Sequence, residues 1–206
     1  VLIGASGTGK TTWILQVLEA MSRGALAFGR FPTQPLPPTF FVSLDRTAEE
    51  LQLKFRAIAI PAEKFRYHGY RQQLQEKSLL RRIFTEMPAD TKLLILDGVG
   101  YLVEKVISQF HVGQVFAELD KLRADRNISI VIIHHTPKVK GADNYIDPRE
   151  KGLGSGAWCQ MAATSIVFEK LCPGDVQNPY RRVWVLQSDS ADQELAFRLT
   201  NRLEWL

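Results

Sequence analysis

The first residues of the chain that could do chemistry form one stretch, Gly4-Ala5-Ser6-Gly7-Thr8-Gly9-Lys10-Thr11. Its spacing matches G-x-x-x-x-G-K-[ST] and it follows an apolar tripeptide, so it predicts a phosphate-binding loop between a strand and a helix. Glycines let backbone amides turn inward toward phosphate oxygens, and the helix N-terminus directs its free N–H groups at the same anion. The stretch therefore predicts a site for a nucleoside triphosphate, with a plain glycine turn before a helix as the alternative.

The side chains at the end of this loop have separate predicted roles. Lys10 can reach the β and γ phosphates, Thr11 can offer its hydroxyl to Mg²⁺, and Thr12 can add a phosphate hydrogen bond. Lys10 is therefore the catalytic cation of the predicted site, and Thr11 is a metal ligand. The other residues of the loop surround the phosphates: Gly4, Ala5, Ser6, Gly7, Thr8 and Gly9.

Two aspartates close apolar strands further along the chain. Asp97 ends one strand, where phosphate-loop enzymes place the carboxylate that holds Mg²⁺, usually through water; a turn aspartate beside Gly98 is the alternative. Asp45 ends another and could orient or deprotonate the water that attacks the γ-phosphate. Its alternatives are a helix N-cap or a local salt bridge with Arg46. The fallback bases are Glu49 and Glu50.

Two adjacent histidines, His134 and His135, end a third strand. A histidine at this position could sense the γ-phosphate and pass that information into the following loop. Because adjacent strand residues point to opposite faces, we expect only one of them to face the nucleotide while the other packs or hydrogen-bonds.

A polar, glycine-rich segment follows the histidines and carries a cluster of cations. They could neutralise nucleic-acid phosphates, and Tyr145 could supply a stacking face for a base. A solvated loop or a subunit contact is the alternative. The candidate DNA-binding residues are Lys138, Lys140, Arg149 and Lys151.

Composition sets the outer limits of these interpretations. The 206 residues are 45% hydrophobic, enough for one domain with a substantial core, which we expect to span 1–206 and to be trimmed at its N-terminus. A formal charge of +4 permits nucleic-acid binding without requiring it. Cys159 and Cys172 lack metal-ligand spacing and suit a reducing cytoplasm. No apolar run approaches the roughly 20 residues that span a bilayer, so we expect no membrane partner.

Hydrophobic periodicity predicts alternating strands and helices. This alternation predicts an α/β fold with a mainly parallel twisted sheet, helices on both faces and a C-terminal β-hairpin extension. The proline-rich segment 31–38 is predicted to be an extended connector, or a ligand for a proline-reading domain. Helices are predicted at 12–21, 48–59, 71–86 and 112–126, and strands at 1–3, 39–44, 92–97, 131–135, 165–169, 182–187 and 194–199.

One ordered set of motifs runs along the chain: Gly4 to Thr11, Phe41-Val42-Ser43-Leu44-Asp45, Leu93 to Asp97, His134-His135-Thr136 and Gly154-Ser155-Gly156-Ala157. This set resembles the RecA-like ATPases of the RepA type, the plasmid and phage relatives of hexameric replicative helicases. The resemblance covers essentially the whole chain. It implies a RecA-like domain that assembles into a homo-oligomer such as a hexamer, in the cytoplasm of a cell or of a phage's or plasmid's host.

The resemblance also implies an activity and roles for particular residues. The activity is ATP hydrolysis coupled to movement on single-stranded DNA. Asp45 corresponds to the family's catalytic base, His135 to its strand-end sensor, and residues 138–155 to its DNA-facing loop. Helicases of this kind commonly carry glutamate at the base position, so with the shorter Asp45 the position of the water or the rate of turnover could differ.

A second departure from the family concerns the cation that reaches a neighbouring subunit's nucleotide. Relatives tend to place a lysine or arginine just after a late strand, but here that strand ends Val185-Leu186-Gln187-Ser188-Asp189. The candidates that could replace it as an arginine finger are Arg181, Arg182 and Arg202.

Three classes of function are compatible with these features. The first is a DNA-stimulated ATPase, a helicase or recombination motor. The second is an ATP-gated binding, assembly or loader module with slow hydrolysis. The third is a small-molecule phosphotransferase, which would need a lid and an acceptor pocket that the sequence does not reveal.

Overall fold

A computed structural model describes residues 1–56, 60–71, 79–102, 109–136, 158, 161–171, 178–187, 191–199 and 203–205. Four α-helices lie within these ranges: α1 Lys10–Arg23, α2 Ala48–Phe55, α3 Leu79–Glu86 and α4 Gln109–Arg126. The strands in the same ranges are β1 Leu2–Gly4, β2 Thr39–Ser43, β3 Phe65–Gly69, β4 Leu93–Asp97, β5 Ser129–His135, β6 Thr164–Lys170, β7 Tyr180–Gln187, β8 Gln193–Leu199 and β9 Leu203–Trp205.

These strands form one sheet in the order β3-β2-β4-β5-β1-β6-β7-β8-β9. The six strands from β3 to β6 are parallel to their neighbours, and β7, β8 and β9 continue the sheet as antiparallel strands. The predicted α/β fold, mainly parallel with an antiparallel C-terminal extension, is therefore confirmed.

The sheet separates two apolar clusters, because alternate residues of a strand face opposite sides. On one face, Phe41 and Ile95 pack with α1 and α2. On the other, Val42 and Leu96 pack with α3 and α4. Helices cover both faces, as the sequence predicts, and every parallel strand presents its carboxyl end at one edge of the sheet.

The ends of α1 and α2 follow from local sequence. Gly24, in the left-handed conformation with φ 62°, ends α1. The predicted capping box starts α2: Thr47 Oγ1 accepts a hydrogen bond from Glu50 N, and Thr47 N donates to Glu50 Oε2. Both helices therefore have fixed ends beside the sheet.

Several boundaries differ from the sequence-based prediction. Helix α4 begins at Gln109, three residues before the apolar repeat becomes regular. Helix α2 ends at Phe55 with Arg56 as its C-cap, and residues 57–59 and 72–78 of the predicted helices lie outside the described residues.

Strands β3 and β9 were missed by the sequence prediction. Strand β3 has only its first residue buried, so its sequence Phe-Arg-Tyr-His-Gly lacks the apolar alternation that marks a strand. Strand β9 is only three residues long. A 3₁₀ turn at Val99–Leu102, just after β4, was not predicted either.

Within the described residues, none of the helices is long and apolar enough to cross a membrane.

Candidate functional site

The loop between β1 and α1 has the backbone geometry of an anion site. Gly9 precedes α1 in the left-handed region, with φ 99°, and no side chain caps the amides of the first turn. Those amides therefore stay available to a bound anion. Gly4 cannot carry a side chain, because a Cβ there would lie 2.5 Å from the Phe168 carbonyl oxygen. Thr8 stabilises the loop by donating from Oγ1 to the Ala5 carbonyl at 2.9 Å.

Lys10 is the cation at the centre of this loop, and only 3% of it is exposed. Its Nζ donates to the carbonyl oxygens of Gly4 at 2.7 Å and Ala5 at 2.9 Å. Burial lowers the pKa of Lys10 to about 8, against the opposing effect of the Asp97 and Asp45 carboxylates. Within the part of the chain that the structure describes, this buried ammonium is held by neutral carbonyls and has no ion-pair partner, which phosphate oxygens would supply.

Asp97, at the end of β4, is hydrogen-bonded to the first turn of α1. Thr11 Oγ1 donates to Asp97 Oδ2 at 3.0 Å. Burial and the charge of Asp45 raise the pKa of Asp97 to about 6, while the Thr11 hydrogen bond opposes that rise. The other oxygen, Oδ1, is buried with no hydrogen-bond partner within the described structure. An orphaned carboxylate oxygen beside a threonine hydroxyl fits a hydrated Mg²⁺ ion.

No cluster of three or more His, Cys, Asp or Glu side chains able to hold a metal ion occurs within the described residues. A divalent ion at Thr11 and Asp97 would therefore need further oxygen ligands from water and from a phosphate, as Mg²⁺ sites of this kind usually do.

Asp45 lies just beyond β2, next to the end of β4. The backbone N–H of Leu44 donates to the Asp97 carbonyl at 2.8 Å, which joins the two strand ends. Ser43 Oγ donates to Asp45 Oδ1 at 2.8 Å and so orients the carboxylate. The side chain of Asp45 is 22% exposed, so water can reach it.

His135 lies on the same face of the sheet as these carboxylates. Its Nε2 is 3.7 Å from Asp45 Oδ2 and 3.8 Å from Asp97 Oδ1. Burial, followed by the charge of Lys10, lowers the pKa of His135 to about 4, although Asp45 opposes the shift. The imidazole is therefore neutral at neutral pH, and its ring nitrogens have no hydrogen-bond partner among the described side chains and backbone.

His134 faces the opposite side of the sheet. It is buried and stacks on Trp158, with ring centroids 5.0 Å apart and an interplanar angle of 22°. Burial lowers the pKa of His134 to about 4, and His135 adds to the shift. Of the two histidines, His135 is the one near the loop, and His134 packs.

Two of the candidate finger arginines are described, and both interact within their own chain. Arg181 is buried, and its Nη1 donates to the carbonyls of Asn178 at 2.6 Å and Tyr180 at 2.8 Å. Arg182 Nε lies 2.8 Å from Glu194 Oε1. Arg181 pairs with Lys170 and Arg182 pairs with Glu169, at the end of β6. Both arginines therefore lie at the edge of the sheet that carries the phosphate-binding loop. The end of β7 pairs with Thr164 at the opposite edge.

The remaining predictions fall on residues outside the described ranges. They are the third finger candidate Arg202, the basic residues Lys138, Lys140, Arg149 and Lys151, Tyr145, and the glycine-serine segment 154–157.

Three residues that contribute to the site were not predicted from the sequence: Ser43, Arg46 and Lys54. Ser43 was treated only as part of a strand, and Lys54 was not singled out. Arg46 was considered only as a salt-bridge partner of Asp45. Its place directly after Asp45 was the available signal, whereas nothing local indicates that Lys54 on α2 comes near the two carboxylates.

This loop and strand order define the RecA-like class of P-loop ATPases. Residues 1–141 match the model of a family described as an AAA domain, and the chain belongs to that family. The fold is similar to that of a KaiC-like protein from the hyperthermophilic archaeon Pyrococcus horikoshii. The two share 16% identity with a TM-score of 0.59, over 100% of this chain and 87% of that one. No curated protein sequence matches the chain.

Burial of His134 generates a pH prediction. Between pH 6.5 and pH 4 the unfolded chain binds a proton at His134 that the folded chain does not, so stability falls as the pH falls. We expect His134→Phe, which keeps a ring against Trp158, to lose less stability between pH 7 and pH 5 than wild type does. The expected difference is roughly 1–2 kcal/mol, measured by urea unfolding. Equal losses in the two proteins would contradict this account of His134.

Proposed function

We propose that this chain is a Mg²⁺-dependent ATPase whose hydrolysis is coupled to single-stranded DNA, in a replicative helicase or a recombination-type motor. The observation that supports ATP hydrolysis is that four strands end beside one another at the same edge of the sheet. The ends of β1, β2, β4 and β5 bring Lys10, Asp45, Asp97 and His135 to one edge. Residues 1–206 are proposed to form one ATPase domain that acts in the cytoplasm.

Lys10 would bind the β and γ phosphates of ATP. Its ammonium group is already desolvated and held at the mouth of the loop by two carbonyls. Exchanging those neutral acceptors for phosphate oxygens gives the buried charge a counter-ion. Such an exchange stabilises the charged ammonium form of Lys10 and favours the transition state, in which negative charge is spread over the γ-phosphoryl oxygens.

Thr11 and Asp97 would hold Mg²⁺ through the threonine hydroxyl and the orphaned carboxylate oxygen. When bound, Mg²⁺ would neutralise charge on the β and γ phosphates. The hydrogen bond between the two residues keeps their oxygens together before any ion arrives.

Asp45 would orient the attacking water. In the reaction, the water oxygen bonds to the γ-phosphorus, and the bond to the β–γ bridging oxygen breaks with its electron pair remaining on ADP. The water proton passes to the Asp45 carboxylate. Ser43 holds this carboxylate in place, and neutral His135, within 4 Å of both aspartates, can donate from Nε2 to a γ-phosphate oxygen.

The proposed DNA and oligomer partners have a different kind of support. It comes from the motif set that resembles the RepA-type ATPases and from the cations of residues 138–151. Lys138 follows His135 by three residues in the chain, so a change at the γ-phosphate has a short covalent path to the proposed DNA contacts.

A second candidate function is an ATP-gated assembly or loader module with slow hydrolysis. The observation that favours it is Asp45 itself. The side chain is shorter than glutamate by one methylene and is already engaged by Ser43. A carboxylate held in this way can report the presence of the γ-phosphate while activating water poorly.

The ATPase proposal predicts the behaviour of two variants. Lys10→Ala and Asp45→Ala should each lower kcat for ATP by about a hundredfold or more, because each removes a group that acts on the transferring phosphoryl. Asp90→Ala is the matched acidic control, since Asp90 pairs with Arg66 far from the loop and should leave turnover unchanged. If wild type binds ATP but hydrolyses it no faster than Lys10→Ala, the gated module replaces the ATPase.

The DNA proposal predicts a change in salt dependence. Replacing Lys138 and Lys140 together with alanine should weaken single-stranded DNA binding and reduce the slope of log K against log salt by about two phosphate contacts. Their loss should also reduce stimulation of ATP turnover by DNA. Binding curves that match wild type at every salt concentration would remove this segment from the proposed DNA site.

A further inference from the structure

Arg46 occupies a backbone position that is fixed from two sides. It directly follows Asp45, whose strand end is hydrogen-bonded to β4. On the other side the end of β3 packs tightly against it: a Cβ on Gly69 would lie 2.5 Å from the Arg46 carbonyl oxygen and 2.5 Å from the Thr47 carbonyl carbon. Only glycine at position 69 allows this approach. The backbone of Arg46 is therefore held in place beside the carboxyl ends of the strands that form the candidate site.

Within the described structure, the side chain of Arg46 makes only a loose ion pair with Asp45. Its Nε is 3.9 Å from Asp45 Oδ1, which is beyond hydrogen-bond distance. The same Nε is buried and has no hydrogen-bond partner in the described part of the chain. About 41% of the side chain is nevertheless exposed, so part of the guanidinium group can reach a ligand. A buried, unpaired N–H on a charged group costs free energy that a phosphate oxygen would recover.

The charge of Arg46 acts on the rest of the site. It helps to lower the pKa of Lys54 and of His135, and it opposes the rise in the pKa of Asp97. Burial is the largest cause of the lowered pKa of Lys54, and the charges of Asp97 and Asp45 oppose this lowering. Arg46 is therefore electrostatically part of the cluster formed by the loop lysine and the two aspartates.

The charge balance of this cluster favours an added anion. Lys10, Lys54 and Arg46 are its cations, and Asp45 and Asp97 are its carboxylates, with neutral His135 between them. The described site thus has one more positive than negative charge. Arg46 directly follows Asp45, the residue proposed to orient the attacking water, and Lys54 lies on the helix that starts just after them.

We propose that Arg46 is a catalytic residue that contacts the γ-phosphate from within the same subunit. It would supply in cis the positive charge that relatives obtain from a neighbouring subunit after a late strand. This inference rests on the proposed ATPase function. Because a guanidinium group can donate two parallel hydrogen bonds to phosphate oxygens, it would stabilise the charge of the γ-phosphoryl group as the bond to ADP breaks.

The position of Arg46 explains how this can coexist with the proposed base. Asp45 accepts from Ser43 on Oδ1, and its other oxygen, Oδ2, faces His135. The carboxylate can therefore orient water while the adjacent guanidinium group turns toward the phosphate. Arg181 and Arg182 have close in-chain partners, whereas the Nε of Arg46 has no hydrogen-bond partner among the described residues.

The first test compares nucleotide affinities. Arg46→Ala should weaken binding of the slowly hydrolysed analogue ATPγS by about tenfold or more, because a charge-assisted contact to the γ-phosphate is lost, and should leave ADP affinity within about twofold. Arg56→Ala is the matched control, since Arg56 is exposed at the end of α2. Equal effects on ATPγS and ADP, or no effect on either, would overturn the proposal, because neither result reports a contact specific to the γ-phosphate.

The second test separates action in cis from action in trans. Arg46→Ala should lower kcat about a hundredfold or more, and mixing it with Lys10→Ala should give no more activity than the two proteins measured separately. If Arg46 instead reached a neighbour's site, sites that combine an intact Lys10 with a partner subunit's intact Arg46 would regain turnover. Restored activity in the mixture would overturn action in cis.

The two tests also separate this inference from the proposed function. If wild type does not hydrolyse ATP, the ATPase proposal fails, yet the ratio of ATPγS to ADP affinity still reports whether Arg46 contacts the γ-phosphate. If wild type hydrolyses ATP and Arg46→Ala behaves like Arg56→Ala in both tests, the ATPase proposal stands and the assignment of Arg46 fails.

Discussion

The parallel register of β1, β2, β4 and β5 is the constraint on which the candidate site depends. Ser43 pairs with Asp97, Asp97 pairs with Ile133, and Gly4 pairs with His135. β2 and β4 therefore end level with each other, β1 and β5 end two residues further along, and all four end in a loop at the same edge of the sheet. A shift of one residue in the pairing of β4 or β5 would turn Asp97 or His135 to the other face. Strand pairing thus determines which side chains come together at the candidate site, and the identity of those side chains then determines what chemistry they can do.

Burial gives these side chains their electrostatic character. Lys10 and Asp97 are almost completely buried, and desolvation is the largest cause of the shifted pKa of each. Charges in such a place interact more strongly than they would in water, and they are correspondingly costly when unpaired. Among the described residues, the loop lysine has two carbonyl acceptors but no carboxylate within ion-pair distance, and one oxygen of Asp97 has no hydrogen-bond partner. These incomplete interactions are what a phosphate and a metal ion would complete.

The parts of this structure that the sequence predicted are those with local signals. The loop follows from glycine and lysine spacing, and the central strands follow from short apolar runs. The capping box of α2 follows from Thr47 and Glu50, which are three residues apart. Strand β3 was missed because its residues do not alternate in polarity, and its pairing with β2 depends on the rest of the sheet.

The site's contacts could not be predicted because they join residues far apart in the chain. The hydrogen bond from Thr11 to Asp97 spans 86 positions. The approach of Gly69 to Arg46 and the stacking of His134 on Trp158 arise from tertiary packing, with no repeat or spacing to mark them. The charge of Lys54 interacts with those of Asp97 and Asp45 because α2 packs over β2, with Phe55 against Phe41. Sequence spacing thus located each candidate at a strand end, and the fold determined which of them meet.

The most direct test of the central claim is a crystal structure with Mg²⁺ and a non-hydrolysable ATP analogue. The account predicts that Lys10 Nζ leaves the carbonyls of Gly4 and Ala5 to contact the phosphates. It also predicts that Thr11 and Asp97 lie at the metal, and that Asp45 and His135 face the γ-phosphate. A nucleotide bound elsewhere, or one in the loop with both Lys10 carbonyl hydrogen bonds intact, would contradict it.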